Sequence, residues 1–299
     1  RTDTNAATAS SVLLDYNRFQ NNTTVYDGTK AAYTMPHSDG STTSEIYGGI
    51  SYAGNTTAKN HLTIKNLHQD TDSAYGGKTA GASGSSVKNN VTVAGTGMHA
   101  LKNIYGGYAE NAAHDGAATE NTVTITGGTI SGSIYGGYTS GTGKATGNTV
   151  NLGDAAHDRL AAGTNLEHAT LYGGNKENDV TGNTLNIYAK NAVVHSVKNF
   201  DKYVFHLKGD AANAAPMLTL KATDGFGALV DWDKLSLDTA NAANTQAIGK
   251  ATLLKSETAN ALKFKNYAAK SQTSGDYETT LRTDTNAATA SSVLLDYNR

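Results

Sequence analysis

Two short motifs alternate along the chain with a period of about thirty residues, and this repetition restricts the possible folds more than any other feature. The triplet Tyr-Gly-Gly begins at Tyr47, Tyr75, Tyr105, Tyr135 and Tyr172, so successive triplets lie 28, 30, 30 and 37 residues apart. One unit of this size is too small to bury its own apolar face, so similar units must stack on one another.

The second motif, Asn-x-(Leu/Val)-x-(Ile/Val/Leu), has the alternation of a short strand. It occurs at Asn60–Ile64, Asn89–Val93, Asn121–Ile125, Asn148–Leu152 and Asn183–Ile187. In a strand, the asparagine shares the inward face with the apolar residues. A buried amide needs hydrogen-bond partners, and identical asparagines can supply them to one another where coils stack about 4.8 Å apart. We therefore predict one asparagine column, formed by Asn60, Asn89, Asn121, Asn148 and Asn183.

The tyrosine motif predicts a second face. The residue before each tyrosine is apolar, which places that residue inside and the tyrosine outside; these residues are Ile46, Ala74, Ile104, Ile134 and Leu171. We expect the paired glycines to form a tight corner with positive φ. An exposed row of tyrosines is a possible binding face for sugars or protein; the competing interpretation is that the rings pack on each other and hold the corners.

Together the motifs predict an all-β chain, a parallel β-solenoid of about six coils with a β-rich C-terminal continuation. A meander or sandwich of short strands is the alternative. We divide the chain into an N-terminal arm with an apolar strand (1–43), the solenoid repeats (44–200), a β-rich C-terminal part (201–281) and a terminal segment (282–299).

The terminal segment is an exact copy of the first 18 residues, RTDTNAATASSVLLDYNR. Tandem repetition, separate subunits that exchange a strand, and an engineered duplication all explain such a copy, and the first two imply head-to-tail assembly. We expect Ser292–Tyr297 to lie outside the core of its own unit and to occupy, in the next unit, the place of Ser11–Tyr16. The predicted assembly residues are Val12, Leu13, Leu14 and Tyr16, with their copies Val293, Leu294, Leu295 and Tyr297.

Composition excludes several classes of function. Twenty-four Lys and Arg against 26 Asp and Glu give a net charge of −2, without the basic excess of nucleic-acid-binding proteins. No apolar run is long enough to insert this segment into a membrane, and the absence of cysteine excludes disulfides and thiol chemistry. We expect no cofactor.

Few residues suggest catalysis or metal binding. His114-Asp115 and His157-Asp158 are His–Asp pairs without a recognisable nucleophile motif, and we interpret both as loop tips. Asp70-Thr71-Asp72 lacks the remaining ligands of a calcium loop, which favours a solvated turn. The sequence therefore predicts no catalytic, cofactor-binding or metal-binding residues.

Three stretches carry a resemblance to a known family: Thr126-Gly127-Gly128-Thr129-Ile130, Tyr135-Gly136-Gly137-Tyr138 and Gly147-Asn148-Thr149-Val150. They resemble the glycine-rich repeats of bacterial autotransporter-type surface proteins, whose secreted passengers are long β-solenoids. The resemblance covers residues 44–200 well and 203–265 more loosely. It implies export and a location on the bacterial cell surface or outside the cell.

These observations favour a structural role. The main hypothesis is a subunit or repeat of an extracellular bacterial surface filament, with identical units joined head to tail through the duplicated segment. The alternative is an adhesin module that binds a glycan or host protein through the tyrosine face or the loops. A β-helix enzyme acting on polysaccharide is the third hypothesis, although no carboxylates recur at a fixed position in the repeats.

Overall fold

The structure is a computed structural model that describes residues 20–27, 33–36, 42–67, 69–81, 83–96, 98–110, 113–207, 215–238, 249–274 and 277–298. Regular structure in these ranges is β, apart from one 3-10 turn at Trp232–Lys234. In chain order the strands are β1 (Thr23–Tyr26), β2 (Tyr33–Pro36), β3 (Thr42–Ser51), β4 (Thr57–Ala58), β5 (His61–Ile64), β6 (Thr71–Ala80), β7 (Ser86–Val87), β8 (Asn90–Val93), β9 (Leu101–Glu110), β10 (Ala118–Thr119), β11 (Thr122–Ile125), β12 (Ser133–Thr139), β13 (Thr149–Leu152), β14 (Leu166–Tyr172), β15 (Thr184–Ile187), β16 (Ala192–Lys198), β17 (Lys202–His206), β18 (Leu218–Leu220), β19 (Val230–Asp231), β20 (Leu235–Asp238), β21 (Gly249–Ser256), β22 (Leu262–Lys265), β23 (Lys270–Ser274), β24 (Tyr277–Thr283), β25 (Thr289–Ala290) and β26 (Ser292–Asn298).

The strands stack into a parallel β-solenoid of about seven turns. One face is an eight-stranded sheet in the order β1-β5-β8-β11-β13-β15-β17-β20, which contains the strands of the asparagine motif. Neighbouring strands are parallel and in register, so that Val123 lies between Val91 and Val150. The predicted fold class is therefore confirmed.

The second face is a twelve-stranded sheet in the order β2-β3-β6-β9-β12-β14-β16-β18-β21-β26-β24-β23, which contains the tyrosine motif. It is parallel from β3 to β21 and antiparallel at both ends. Two three-stranded sheets, β10-β7-β4 and β19-β22-β25, form further sides. The apolar residues before the tyrosines all lie in the interior and are at most 2% exposed: Ile46, Ala74, Ile104, Ile134 and Leu171.

The five predicted asparagines form one column of hydrogen-bonded side chains inside the solenoid. Each side-chain N–H donates to the amide oxygen of the asparagine one coil further on, at 2.8 Å from Asn60, 3.1 Å from Asn89, 3.1 Å from Asn121 and 3.3 Å from Asn148 to Asn183. The column also begins one coil earlier than the motif predicts, because Asn22 donates to Asn60 at 2.7 Å. Asn22 lacks the full motif around it, so the motif does not predict its place in the column.

The paired glycines have a different role from the predicted one. None of Gly48, Gly49, Gly106 or Gly107 is among the glycines with positive φ, so the expected positive-φ corner is wrong. Instead, a Cβ on the second glycine of a pair would meet an asparagine of the column, 2.6 Å from the Asn89 amide nitrogen at Gly77 and 2.5 Å from that of Asn148 at Gly137. The two motifs are therefore one unit, in which glycine leaves room for the asparagine.

The positive-φ position is the residue directly before each asparagine. Asn21, Lys59, Lys88 and Glu120 have φ of 54 to 56°, and the two glycines at this position, Gly147 and Gly182, have φ of 68° and 70°. The left-handed conformation is unfavourable for residues with a Cβ, yet four coils have such a residue at this position. Glycine at 147 and 182 was the sequence signal for this corner.

The terminal copy packs into its own chain, so the prediction that Ser292–Tyr297 lies outside the core of its unit is wrong. Strand β26 pairs antiparallel with both β21 and β24, and Val293 and Leu295 are fully buried in the main core. The physical reason is local: β24 runs into the copy, and a short turn then returns the chain antiparallel beside the open edge of β21. Val12, Leu13, Leu14 and Tyr16 lie outside the described residues.

Candidate functional site

The tyrosines of the repeat form a continuous stack along the outside of the twelve-stranded sheet. From Tyr47 through Tyr75, Tyr105 and Tyr135 to Tyr172, successive ring centroids are 5.3, 4.9, 5.2 and 4.7 Å apart, with interplanar angles of at most 14°. Parallel in-register strands place identical side chains one above another, and offset aromatic pairs at these distances attract each other. The rings therefore pack against one another, and we call them the tyrosine column.

A second column lies beside the first at the position three residues later. Tyr108 and Tyr138 stack at 4.9 Å and meet the edges of Tyr105 and Tyr135 at 5.0 and 5.1 Å. Two residues three apart share one side because both intervening glycines face inward, which interrupts the strand's alternation. The sequence carries this signal as Tyr-Gly-Gly-Tyr, although strict alternation alone would place the second tyrosine on the opposite face.

A buried ion pair closes the N-terminal end of the tyrosine column. The Glu45 carboxylate accepts hydrogen bonds from the hydroxyls of Tyr47 and Tyr75 and lies 3.6 Å from the Lys78 ammonium. That ammonium also sits 4.9 Å from the centre of the Tyr75 ring. Burial, followed by the Glu45 charge, raises the pKa of Tyr75. Tyr75 is therefore held in its neutral form.

Exposure along the tyrosine column increases toward its C-terminal end. Tyr47 and Tyr75 are only 7% and 5% exposed, so they present almost no surface to a ligand. Tyr105, Tyr135 and Tyr172 are half-buried and each keeps an edge in solvent. Of the five predicted binding residues, only these three offer surface to a partner.

An open cleft of about 650 Å³ lies at that exposed end. Its lining combines the Tyr172 ring with amide and charged groups, among them Asn175, Asn199, Asp201 and Lys234. Asp201 accepts a hydrogen bond from the Gly182 N–H at 3.1 Å and pairs with Lys234 at 3.0 Å. An aromatic ring beside amides and charged groups is the chemistry that recognises a polar ring such as a sugar.

The two His–Asp pairs lie on loops and do not form catalytic pairs with each other. His114 and Asp115 are exposed. His157 contacts Asp154 rather than Asp158, with 2.8 Å between ring nitrogen and carboxylate. Burial alone would raise the pKa of Asp154, but hydrogen bonds from His157 and from two backbone N–H groups lower it below its ordinary value. This arrangement fixes a turn.

Asp70 and Asp72 are directed to neighbouring coils on opposite sides. Asp70 accepts a hydrogen bond from the Ala100 N–H at 2.9 Å, whereas Asp72 accepts one from the Ser44 N–H at 2.9 Å. Within the described ranges, no three histidine, aspartate or glutamate side chains come together as a metal site. None of the described residues belongs to a helix with the length and hydrophobicity of a membrane span.

The predicted assembly residues of the terminal copy belong to the last antiparallel part of the twelve-stranded sheet. Val293 and Leu295 are fully buried, while Leu294 on the other side of the strand is half-buried, and Tyr297 lies in the same strand opposite Thr279. Arg282 and Asp296, both within the copy, form an ion pair across β24 and β26. The copy is thus a structural part of this end of the molecule.

No protein-family model, curated protein or solved structure matches this chain. The interpretation of its function therefore depends on its own geometry.

Proposed function

We propose that this chain is a structural unit of an extracellular filament on the bacterial surface, in which identical units follow one another head to tail. The observation that carries this proposal is the position of the duplicated segment. Its second copy completes the core at the C-terminal end of the solenoid, and its first copy directly precedes the first coil. One sequence is therefore suited to end one unit and to lead into the next.

The construction of the solenoid supports a mechanical role. Hydrogen bonds between coils run along the long axis in two sheets, and the asparagine and tyrosine columns run in the same direction. Because every coil is bonded to the next, stretching force is shared by many parallel contacts. We assign no catalytic role to the chain, and the proposed location on the cell surface is supported by the resemblance to autotransporter passengers.

Electron microscopy of the native material tests the proposal. We expect thin fibres with an axial repeat on the order of 55 Å, because the longer sheet has 12 strands spaced about 4.8 Å apart. A denaturing gel of these fibres distinguishes the two forms of assembly: one very large band indicates a tandem chain, and bands of one unit indicate separate subunits. Native material that contains only isolated particles contradicts the proposal.

The cleft beside Tyr172 supports a second candidate function, adhesion to a glycan. In this proposal the ring of Tyr172, the last of the tyrosine column, provides the stacking surface, and the amides around the cleft provide hydrogen bonds. A glycan array tests it, with Tyr172→Ala expected to abolish the signal and Tyr52→Ala, at a 40% exposed tyrosine outside the column, expected to keep it. An array without signal for the unaltered chain contradicts adhesion to glycans.

A further inference from the structure

The end of the solenoid has a slot for one strand, and the chain contains two identical segments that can fill it. In the structure the slot lies between β21 and β24 and holds β26, which is antiparallel to both. The same seven residues, Ser-Val-Leu-Leu-Asp-Tyr-Asn, occur at 11–17 and at 292–298. Any site that accepts the second segment offers the first segment the same contacts.

Two buried rows of side chains define what the slot accepts. In one row, Leu295 lies between Ala251 and Leu281. All three are at most 5% exposed. Val293 occupies the other row beside Leu254 and is also fully buried. Its neighbour on the other side, Thr283, is itself part of the copy, and its equivalent in the leading segment is Thr2. The slot therefore requires two apolar side chains two residues apart, which the first segment supplies as Val12 and Leu14.

The turn before β26 is also held by the rest of the chain. Ala290 pairs with Leu262 in β22 and is fully buried. The Phe264 N–H donates to the Ala288 carbonyl at 2.8 Å, and the Ser256 N–H donates to the Ser291 carbonyl at 2.8 Å. The contacts thus extend over most of the 18-residue copy, which explains why the whole segment, and not only its apolar strand, is duplicated.

We propose that this slot is an acceptor for residues 1–18 of a second copy of the chain, which enter it in place of residues 282–299. The inference rests on the proposed head-to-tail filament and names the partner and its binding register. Ser11–Asn17 of the incoming copy take the positions of Ser292–Asn298, with Val12 and Leu14 in the two buried rows. Each unit has one leading segment and one slot, so the assembly is linear and polar.

The short connection after the leading segment fixes how two units sit. Only five residues separate Asn17 from Thr23, the start of β1, and the six residue-to-residue steps between them reach at most about 20 Å. The first coil of the incoming unit must therefore lie beside the last strands of the unit that holds its segment. Neighbouring units are therefore in direct contact, as in a continuous fibre, and are not separated by a long linker.

The second copy also explains how a single chain completes itself. Residues 282–299 continue directly from Leu281 in β24, so their effective concentration at the slot is high, about millimolar or more for a short tether. The attached copy therefore fills the slot in preference to the identical leading segment of a second chain. The 299-residue chain should therefore complete itself at concentrations below about millimolar, and exchange between chains should require a higher local concentration, as in a packed fibre, or a weakened terminal copy.

The test uses the same substitutions in each of the two copies of the full chain. V293D/L295D places two charges in the buried rows, so the attached copy should leave the slot and the intact leading segment of another chain should enter. We expect a series of oligomers by light scattering after size-exclusion chromatography. The matched variant V12D/L14D should stay monomeric, as should the variant with all four changes. Folded but monomeric V293D/L295D, or oligomers of the fourfold variant, overturn the proposal.

Two introduced cysteines test the register, since the chain has none of its own. Leu294 lies opposite Thr252, so L13C together with T252C should form disulfides between chains of the V293D/L295D protein, seen as a ladder on a non-reducing gel. L13C with S271C, on the non-adjacent strand β23, is the control and should give none. If V293D/L295D does not fold, V293A/L295A replaces it. A disulfide within one chain, or equal yields from both pairs, contradicts exchange.

The two proposals fail in different ways. One outcome is that L13C–T252C disulfides form between chains but the native material contains no fibres. This outcome supports strand exchange and contradicts the filament proposal. A second outcome is that the native material forms fibres but the V293A/L295A chain stays folded and monomeric at every concentration. This outcome supports the filament proposal and contradicts strand exchange, and it leaves a tandem chain as the form of assembly.

Discussion

The side-chain N–H of Asn121 donates to the amide oxygen of Asn148 at 3.1 Å, and the backbone N–H of Asn121 donates to that same oxygen at 3.0 Å. The second side-chain hydrogen of Asn121 reaches the Ser86 carbonyl at 2.9 Å. In turn, the oxygen of Asn121 accepts from the backbone and side chain of Asn89. One buried amide therefore satisfies groups in three coils.

Replacing Asn121 by leucine should lower the free energy of unfolding by about 1–3 kcal/mol, because it removes the acceptor of the buried Asn89 backbone N–H and the side-chain donor to the Ser86 carbonyl. Asn151→Leu is the matched control. Asn151 lies in an outer, half-buried row, where it donates to Thr124 and accepts from Asn186. Because this row borders solvent, the loss should be smaller than in the buried column. Denaturant unfolding of both variants measures the difference, and equal losses would argue against a special role of the buried column.

Gly107→Ala should destabilise the chain through a clash with the asparagine column. The backbone at Gly107 is not left-handed, but an added Cβ would press on the Asn121 amide, and such overpacking costs about 1–3 kcal/mol. The cause can be isolated with a double-mutant cycle. In an Asn121→Ala background the same glycine change should cost much less, whereas full additivity of the two losses would rule out the clash.

The repeats predicted the fold because each coil repeats the same alternation of inward and outward residues. Asn121 is two and four residues before Val123 and Ile125, so it shares their inward face and its amide lies inside. Stacking of the coils then aligns this amide with the asparagines at the same position in neighbouring coils. Features that depend on contact between the two motifs were not predictable in this way. The need for glycine at 107 arises from the Asn121 side chain, which lies 14 residues away in sequence.

The terminal copy was misplaced for a related reason. Its duplication indicates a role in assembly, but the sequence does not say which of the two identical segments fills the slot. That choice depends on the attachment of residues 282–299 to β24 and on the free edge of β21. The second tyrosine column was missed because Tyr105 and Tyr108 share a side only where two glycines interrupt the alternation.

The corner before each asparagine offers a stabilising substitution. Lys59 has φ of 54°, a conformation that costs a residue with a Cβ about 1–2 kcal/mol relative to glycine. Lys59→Gly should therefore raise the free energy of unfolding by about 1 kcal/mol, the conformational gain being partly offset by the greater freedom of glycine in the unfolded chain.

Gly147→Ala, at the equivalent corner with φ of 68°, is the reverse experiment and should lower the free energy of unfolding by about 1–2 kcal/mol. An added Cβ there would come no closer than 3.6 Å to a neighbour, so the loss reports backbone conformation alone. Thermal unfolding of both variants checks the pair, and a shift of the same sign in the two would contradict the argument.

The tyrosine column should make the fold sensitive to alkali. Burial is the main cause that raises the pKa values of Tyr105, Tyr135 and Tyr172. In the unfolded chain these groups lose their protons near the ordinary tyrosine pKa of about 10, whereas the folded chain retains them. The unfolded state then binds fewer protons, so the stability is complete below about pH 10 and falls as pH rises through and above that value.

Melting temperatures measured from about pH 8 to about pH 12 should fall steeply above about pH 10, together with a rise in tyrosinate absorbance on unfolding. Tyr135→Phe removes the hydroxyl of one half-buried tyrosine of the column and should make the decline shallower, because fewer protons distinguish the folded and unfolded states. Tyr52→Phe, at a 40% exposed ring outside the column, should leave the slope unchanged. Identical slopes for the Tyr135 variant and the parent chain would show that another group controls the alkaline transition.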